Sequence, residues 1–468
     1  MVREDGMAKV RTKFVCTSCG AEFPRWLGRC TACGAWNTLE EREERKVSPA
    51  VAPVAALGES RGPVALSDVH MNAEERLVLG LPEVDRPLGG GMVRGSVILL
   101  GGEPGIGKST LVFQICRAAA AASAKVLYAS GEESELQIKM RADRLGIPGS
   151  SCYVMSGVDL AQIMDAAKQL KPSVLVIDSI QTMFLADTAS PMGSPAQVRD
   201  CTALLVRLAK EYHMTVLIVG HVTKEGNLAG PRILEHMVDV VLYLEGDRSF
   251  QFRVLRPVKN RFGSTSETGL FVMEREGLRG IADPSGYLLQ SRNKDTAGSI
   301  VAAALEGQRA ILAEIQALSV HSVLAVPRRI SVGYDYNRLI ILLAVLEKRA
   351  KIPFSQEDVY VNVAGGFKVR ETAADLAAAL SVVSVKWETP IPGRTAAIGE
   401  VALTGDVLPV SHIGLRLKEA MKMKLDHFIL PMGNKKEADA FFSTVPTEGI
   451  YVSYVERIAE AVALLRRF

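Results

Sequence analysis

The sequence has no long hydrophobic run and almost no excess of charge. No uninterrupted apolar stretch reaches the roughly 18 residues that a membrane-spanning helix needs, and the polar N-terminus lacks the apolar core of a secretory signal. The 55 Lys and Arg residues balance 52 Asp and Glu residues, giving a net charge of +3. This charge is too small to indicate a nucleic-acid partner by itself. We therefore expect a cytoplasmic protein, in which any contact with nucleic acid is local.

Cysteine is scarce, with seven residues in 468, and a disulfide framework is not expected in a long intracellular chain. Four of the seven follow the pattern C-x₂-C-x₁₀-C-x₂-C, at Cys16, Cys19, Cys30 and Cys33. Four thiolates at such a spacing close a tetrahedral structural Zn²⁺ site. We predict a Cys₄ zinc module over residues 1–40. The sequence leaves open a redox pair instead of a zinc site, and leaves open whether the module contacts DNA or protein.

Residues 41–65 are rich in alanine, proline and charge, have no periodicity, and are predicted to be a linker. Over residues 66–285, apolar strand-like runs alternate with helix-like segments, as in a parallel α/β sheet. Polar residues at the carboxyl ends of such strands converge on one crevice. The predicted strands occupy 97–100, 126–130, 174–178, 216–220 and 238–244.

A glycine-rich turn after the first of these strands matches G-x-x-x-x-G-K-[ST] over residues 102–109. Such a turn wraps a phosphate with backbone N–H groups at a helix N-terminus. Lys108 is expected to reach the β- and γ-phosphates of ATP, and the Ser109 hydroxyl to hold Mg²⁺. The alternative is a glycine-rich turn that binds nothing, which the full match disfavours. The predicted ATP-binding residues are Gly102, Glu103, Pro104, Gly105, Ile106, Gly107, Lys108, Ser109 and Thr110.

Three further strand ends carry candidate catalytic groups. Asp178 ends an apolar strand as a Walker B aspartate does, and is expected to hold Mg²⁺ through water. Glu132, with Glu133 beside it, is the candidate for polarising the attacking water. The alternative is that one of the two carboxylates only caps the next helix, which is expected of Glu133 more than of Glu132. His221 has two interpretations that the sequence does not separate: a sensor of the γ-phosphate, or an ordinary histidine with satisfied hydrogen bonds.

A glycine-rich loop, residues 224–232, follows His221 almost directly. In a motor protein a polymer-binding loop belongs at this place. Lys224 and Arg232 are the candidates for contacts with DNA. A plain surface loop is the alternative.

Residues 259–263 have the sequence Lys-Asn-Arg-Phe-Gly. This motif, placed after a zinc module and a P-loop core, resembles the RadA (Sms) family of bacterial recombination and repair ATPases. The resemblance covers almost the whole chain and implies a RecA/DnaB-like core. Lys259 and Arg261 are then catalytic candidates that reach the γ-phosphate of a neighbouring subunit, as an arginine finger does, and also candidates for DNA engagement. A homo-oligomer, expected to be a hexameric ring, is implied.

Residues 286–468 resemble the Lon protease domain, from which they depart at the catalytic positions. Ala373 stands where Lon has its serine, and Gly414 stands where Lon has its lysine. A Ser–Lys dyad needs both groups, so we expect a proteolytically inactive scaffold. A basic helix in this domain suggests a path for DNA, although a solvated face is the default interpretation. The basic residues are Arg416, Lys418, Lys422 and Lys424, with Arg328 and Arg329 elsewhere.

These features together predict an α/β protein that contains a zinc ribbon, a RecA-like P-loop ATPase domain and a Lon-protease-like α/β domain. The resemblance implies a DNA-dependent ATPase motor of the helicase type. Such a motor acts on single-stranded or branched DNA and promotes branch migration of recombination intermediates with the RecA recombinase. The expected cofactors are ATP, Mg²⁺ and Zn²⁺. The alternatives are an ATP-dependent Lon-like protease and a KaiC-like regulatory ATPase.

Overall fold

The computed structural model describes residues 76–466 apart from 148–150, 189, 222–232, 247–251, 291 and 293–295, and it describes residues 11–16, 22–23, 26, 28–29, 31, 36 and 39–44. The chain divides into two compact units, Met1–Val69 and His70–Phe468. Within the described residues, no helix has the length and apolar character that crossing a membrane requires.

The N-terminal unit contains a three-stranded antiparallel sheet. Strand β1 (Arg11–Cys16) lies between β2 (Glu22–Phe23) and β3 (Leu39–Glu44). Strand β3 extends into the predicted linker because its backbone pairs with β1, so this end of the predicted linker is wrong. The backbone of Cys16 ends β1, but Cys19, Cys30 and Cys33 lie outside the described residues. The zinc site therefore stays a prediction.

The larger unit begins with a short hairpin around a one-turn helix and continues into a nine-stranded sheet. The first elements are β4 (Arg76–Leu77), α1 (Pro82–Asp85) and β5 (Met92–Val93). The nine strands are β6 (Val97–Gly102), β7 (Val126–Ser130), β8 (Cys152–Ser156), β9 (Val174–Asp178), β10 (Thr215–Val219), β11 (Val240–Gly246), β12 (Phe252–Asn260), β13 (Gly269–Glu274) and β14 (Gly277–Gly280).

The order across this sheet is β14-β13-β12-β11-β6-β10-β9-β7-β8. Neighbours from β11 to β8 run parallel, and those from β11 to β14 run antiparallel. The predicted strands are confirmed, and the last one starts two residues late because Val238 still donates its N–H to Leu234 in a helical turn. The helices of this part are α2 (Lys108–Ala121), α3 (Glu135–Arg144), α4 (Leu160–Leu170), α5 (Pro195–Tyr212) and α6 (Ile233–Met237).

The C-terminal part has a seven-stranded sheet in the order β17-β18-β16-β15-β19-β22-β23 and a separate hairpin of β20 and β21. The strands are β15 (Ser299–Glu306), β16 (Arg309–His321), β17 (Arg329–Val332), β18 (Glu357–Val363), β19 (Thr395–Ala397), β20 (Glu400–Val401), β21 (Val407–Leu408), β22 (His427–Pro431) and β23 (Tyr451–Val455).

Helices cover this sheet on both faces. A largely buried helix, α9, packs on β15 and β16 beside α8 and α12, whereas α10 and α11 belong to a second apolar cluster. The helices are α7 (Pro284–Leu289), α8 (Tyr336–Arg349), α9 (Asp375–Lys386), α10 (Ile413–Lys422), α11 (Lys435–Phe442) and α12 (Ile458–Leu465).

The predicted boundary between residues 285 and 286 falls inside α7, which packs on β16 of the C-terminal sheet. One hydrophobic cluster contains Leu270 from the nine-stranded sheet and Ile300 from the seven-stranded sheet. An ion pair joins Arg256 on β12 to Glu306 at the end of β15. Because the two sheets share a core, the ATPase part and the Lon-like part form one compact unit rather than two separable ones.

Candidate nucleotide-binding site

The turn between β6 and α2 is shaped by glycine. Gly105 and Gly107 have φ angles of +77° and +115°, a region that residues with a Cβ rarely adopt. A Cβ at Gly107 would also lie 2.7 Å from Cε of Met273. Helix α2 begins at Lys108. The predicted P-loop is therefore a turn that ends at a helix N-terminus, the arrangement that binds phosphate.

Lys108 is a buried cation, with 4% of its surface exposed. Its Nζ donates to the carbonyl oxygens of Gly102 at 2.8 Å and Glu103 at 3.0 Å. Burial lowers the pKa of Lys108, although Asp178 and Glu132 oppose this shift. A buried ammonium is costly unless a charge pairs with it, and a phosphate would supply that charge. The residues of the turn thus fit ATP.

Asp178 ends β9 and is buried, and its partner is a tyrosine. The hydroxyl of Tyr128 on β7 donates to Asp178 Oδ2 at 2.5 Å. Burial and the neighbouring Asp178 raise the pKa of Tyr128 well above its usual value, so the hydroxyl keeps its proton and remains a donor. The Tyr128 ring stacks on Phe113 of α2 with the ring centroids 4.6 Å apart. The sequence predicted Mg²⁺ for Asp178 and did not identify Tyr128.

Glu132 accepts two polar contacts from neighbouring strand ends. The Ser179 hydroxyl donates to Glu132 Oε1 at 2.8 Å, and Nε2 of His221 lies 3.4 Å from the same oxygen. The structure therefore brings together the ends of β7, β9 and β10 at one edge of the sheet. His221 contacts the candidate catalytic carboxylate, which favours its interpretation as part of the site.

Several side-chain atoms at this edge are buried without a hydrogen-bond partner in the described part of the chain: His221 Nδ1, Gln181 Oε1 and Glu133 Oε2. Gln181 lies beside His221, because its Nε2 donates to the His221 carbonyl oxygen at 3.4 Å. A buried polar atom left unpaired costs about 1–3 kcal/mol. These three atoms at one sheet edge are candidates for contacts with a polar ligand.

The prediction that Glu133 caps the next helix is wrong. Ser134 caps α3 instead: its side chain accepts from the Gln137 N–H, and the Gln137 side chain accepts from the Ser134 N–H. This reciprocal pair is a capping box, which satisfies two backbone donors at once. Glu133 forms an ion pair with Arg141 farther along α3.

The KNRFG segment packs within its own chain. Lys259 Nζ donates to the carbonyl oxygens of Glu235 and Val238 at 2.8 Å and of His236 at 3.1 Å, so it holds the end of α6. Arg261 lies just after β12 with 58% of its side chain exposed, and it pairs with Asp239 at 3.3 Å. Of these two predicted cations, Arg261 is the more exposed.

The other DNA-binding candidates have different outcomes. Lys224 and Arg232 lie outside the described residues, so their roles stay predictions. In the C-terminal domain, the proposal that Arg416 lines a DNA path is wrong, because its side chain is fully buried. The Arg416 guanidinium forms a two-pronged ion pair with Glu371 and donates to the Ala303 carbonyl oxygen at 2.6 Å. This arginine stabilises the core.

Besides Tyr128, three residues that the sequence did not single out make polar contacts in the site. Ser179 follows a predicted Walker B aspartate, which is a usable signal for a polar neighbour. Gln181 has no such signal. Arg253 on β12 is buried and donates from Nε to the Ile106 carbonyl oxygen of the P-loop at 3.1 Å. Its place depends on the pairing of β11 with β12, which local sequence does not encode.

Comparison with protein families agrees with this architecture. Residues 63–227 match the family described as "AAA domain", and residues 343–466 match "Lon protease (S16) C-terminal proteolytic domain". Residues 14–41 match "Rubredoxin metal binding domain", and this range includes the four predicted zinc ligands. The predicted order of zinc ribbon, P-loop ATPase core and Lon-like domain is therefore confirmed.

Several curated relatives are similar over nearly their whole length, and each carries the name "DNA repair protein RadA". The protein from Bacillus subtilis (strain 168) is 47% identical over 459 residues, covering 97% of this chain and 99% of the relative. The Pseudomonas aeruginosa protein is 45% identical over 461 residues, with 98% and 100% covered. The Escherichia coli (strain K12) protein is 44% identical over 467 residues, with 98% and 99% covered. At this identity and coverage, the chain belongs to the RadA family.

Proposed function

We propose that this chain is a DNA-dependent ATPase motor of the helicase type that acts on single-stranded and branched DNA. Its products are ADP and phosphate, and its role is branch migration of recombination intermediates in DNA repair, together with the RecA recombinase. The names of the relatives support a role in DNA repair, and the match to an ATPase domain supports ATP hydrolysis.

One observation carries the proposal that hydrolysis drives DNA movement. Described residues before and after the candidate DNA loop, residues 224–232, contact candidate groups of the hydrolytic machinery. Before it, His221 lies 3.4 Å from Glu132. After it, Lys259 of the KNRFG segment donates three hydrogen bonds to the C-terminal end of α6 and to Val238 just beyond it. In this proposal, a change at the phosphate reaches the loop through His221 on one side and through α6 on the other.

The chain's own residues divide the work at the phosphates. Lys108 and the glycine turn bind the β- and γ-phosphates, and Glu132, oriented by Ser179, positions the attacking water. Asp178 and Ser109 hold Mg²⁺, which neutralises phosphate charge when it is bound. The buried unpaired atoms of His221 and Gln181 supply contacts for the terminal phosphate or the water. Loss of the phosphate removes these contacts and changes the start of the loop.

Lys259 and Arg261 act in trans in this proposal, within a homo-oligomeric ring that we expect to be hexameric. The exposed guanidinium of Arg261 is available to a neighbouring subunit's γ-phosphate once it leaves Asp239. Lys259 then exchanges its carbonyl partners on α6 for the same phosphate, which frees the end of α6. This exchange couples the neighbour's nucleotide to the DNA loop of the first subunit.

The Lon-like domain serves as a proteolytically inactive scaffold. Ala373, at the position of the Lon serine, is buried, and Gly414 lies in the first turn of α10. The segments that carry these two residues are joined by the buried ion pair between Glu371 and Arg416. A hydroxyl nucleophile and a free lysine are both missing at these positions, so the domain has no dyad for peptide hydrolysis.

The test measures ATP turnover and ATP binding with and without single-stranded DNA. We expect DNA to stimulate the wild-type chain, with a strong dependence on salt because the contacts are to phosphates. Lys108→Ala abolishes binding or hydrolysis. Lys259→Ala keeps ATP binding and loses DNA-stimulated turnover, whereas the control Lys436→Ala, at an exposed position on α11, behaves as wild type.

Wild-type ATPase and unwinding in Lys259→Ala would show that the KNRFG lysine has no coupling role. A wild-type chain that neither binds single-stranded DNA nor responds to it would rule out the motor and favour a regulatory ATPase of the KaiC type. Casein degradation that needs ATP and disappears in Glu132→Gln would instead establish an ATP-dependent protease.

A further inference from the structure

A buried column of side chains connects the two residues that are proposed to hold Mg²⁺. Ser109 lies in the first turn of α2, and Phe113 lies one turn later on the same face of that helix. The Phe113 ring stacks on Tyr128, with an interplanar angle of 20°. The Tyr128 hydroxyl in turn donates to Asp178. Each link in this column joins a different element: α2, β7 and β9.

The column is rigid because it is fully packed. Phe113 and Tyr128 are 1% and 0% exposed, and a side chain in such a core has few alternative rotamers. Arg141 also contacts the column. Its guanidinium lies 5.6 Å from the Phe113 ring centroid and pairs with Glu133, next to the catalytic candidate Glu132. The stacked rings therefore form a direct side-chain contact between the P-loop helix and β7, the strand that pairs with the Walker B strand.

We propose that Tyr128 is a positioning residue for the Mg²⁺ site. Its hydroxyl fixes one oxygen of the Asp178 carboxylate, and its stack on Phe113 sets the distance from Asp178 to Ser109. Tyr128 itself touches neither nucleotide nor metal. The inference rests on the proposed ATP-hydrolysing role of this site, and it predicts that Tyr128 matters for Mg²⁺ and not for the phosphates that Lys108 and the glycine turn bind.

The test uses the full chain and ATP labelled with a fluorescent N-methylanthraniloyl group. Two quantities are measured: the Kd for the labelled ATP in EDTA, and the Mg²⁺ concentration at half-saturation of the Mg²⁺-dependent signal. In Tyr128→Phe the ring stays and the hydroxyl is lost. We expect the Mg²⁺ midpoint to rise about 10-fold, the usual lower bound for loss of a group that orients a metal ligand, with an unchanged Kd in EDTA. Phe113→Leu, which removes the stack, shifts the midpoint in the same direction.

The matched control is Tyr334→Phe. Tyr334 is also a buried tyrosine that donates to a buried aspartate, Asp375, but it lies in the C-terminal domain. The Tyr334→Phe variant is expected to lower the thermal midpoint of unfolding about as much as Tyr128→Phe does, and to leave both binding measurements unchanged. This control separates a loss of stability from a loss of metal positioning.

A Mg²⁺ midpoint in Tyr128→Phe within twofold of wild type would overturn the inference. So would an equal loss of binding with and without Mg²⁺, since that pattern describes a general structural role. An equal shift in Tyr334→Phe would overturn it as well. If the wild-type chain fails to bind labelled ATP under either condition, the proposed function fails first, and this outcome is distinct from the others.

Discussion

Removing Arg416 tests whether the C-terminal domain is held together by the ion pair that its fold buries. The Arg416 side chain is 1% exposed and that of Glu371 is 27% exposed. Besides Glu371, the guanidinium has two carbonyl partners, Ala303 at 2.6 Å and Ser411 at 3.0 Å. Arg416→Met keeps much of the side-chain volume, removes the charge, and leaves the carboxylate and both carbonyls without this donor.

Breaking a buried ion pair by removing one partner costs about 3–5 kcal/mol, because the other charge stays buried. Glu371 is partly exposed and keeps a hydrogen bond from the Leu305 N–H at 2.5 Å. Both features reduce the penalty, so we expect the lower end of the range, about 3 kcal/mol of unfolding free energy. In the double variant Arg416→Met with Glu371→Met, part of this loss is recovered, since no charge is then left without its partner. The recovery is incomplete because the Ala303 and Ser411 carbonyls and the Leu305 N–H lose their side-chain partners.

The assay is equilibrium unfolding in urea, followed by fluorescence. Trp387 follows α9 and is half-buried, whereas Trp26 and Trp36 are 54% and 69% exposed, so the signal reports mainly on the C-terminal domain. The control is Arg394→Met, which breaks an exposed pair with Asp426 and is expected to cost less than about 1 kcal/mol. If Arg416→Met costs no more than this control, the stabilising role of the ion pair is refuted.

Three further predictions concern other parts of the chain. Glu132→Gln keeps ATP binding but lowers the turnover number by about 10²–10⁴-fold, since it removes the group that orients water; unchanged turnover would assign the water to another residue. Metal analysis gives about one zinc per chain, and Cys16→Ser lowers that content; a metal-free wild type would exclude the ribbon. Burial lowers the pKa of His427. The unfolded chain therefore binds a proton at this histidine more readily than the folded chain, so the free energy of unfolding decreases as the pH is lowered below about 6.5. That fall is smaller in His427→Gln, and an identical pH profile in both chains would contradict the shift.

The local parts of the nucleotide site could be predicted from sequence because the signals are contiguous. A glycine pattern followed by Lys108 and Ser109 needs no knowledge of distant residues, and neither does an apolar run that ends in Asp178. Parallel strands then bring Glu132, Asp178 and His221 to one edge as a consequence of topology. The partners of these residues were not predictable in the same way. Tyr128 is one residue in a buried apolar strand, and its hydroxyl has a function only because β9 is the next strand in the sheet.

Charge was the least reliable signal, and the basic residues show why. Arg416 and Lys422 belong to one helix, yet the first is fully buried on Glu371 and the second is half exposed on Asp283 and Glu419. A count of basic residues along the sequence does not distinguish the buried residue from the exposed one. Their difference lies in which face of α10 meets the sheet, and this depends on packing between elements that are distant in sequence.

Packing also distinguishes the two cations of the KNRFG segment, Lys259 and Arg261. As a sequence, the segment presents two equivalent cations for a neighbouring subunit. In the fold they differ. Lys259 donates its three N–H groups to carbonyl oxygens at the C-terminal end of α6 and at Val238, whereas Arg261 makes one ion pair at the surface, with Asp239 at 3.3 Å. If both acted only as phosphate contacts, Lys259→Ala and Arg261→Ala would lower turnover alike and leave α6 unchanged. The structure predicts instead that Lys259→Ala alone speeds amide hydrogen exchange in α6 in the absence of nucleotide. Equal exchange in the two variants would mean that Lys259 does not connect the nucleotide to the DNA loop.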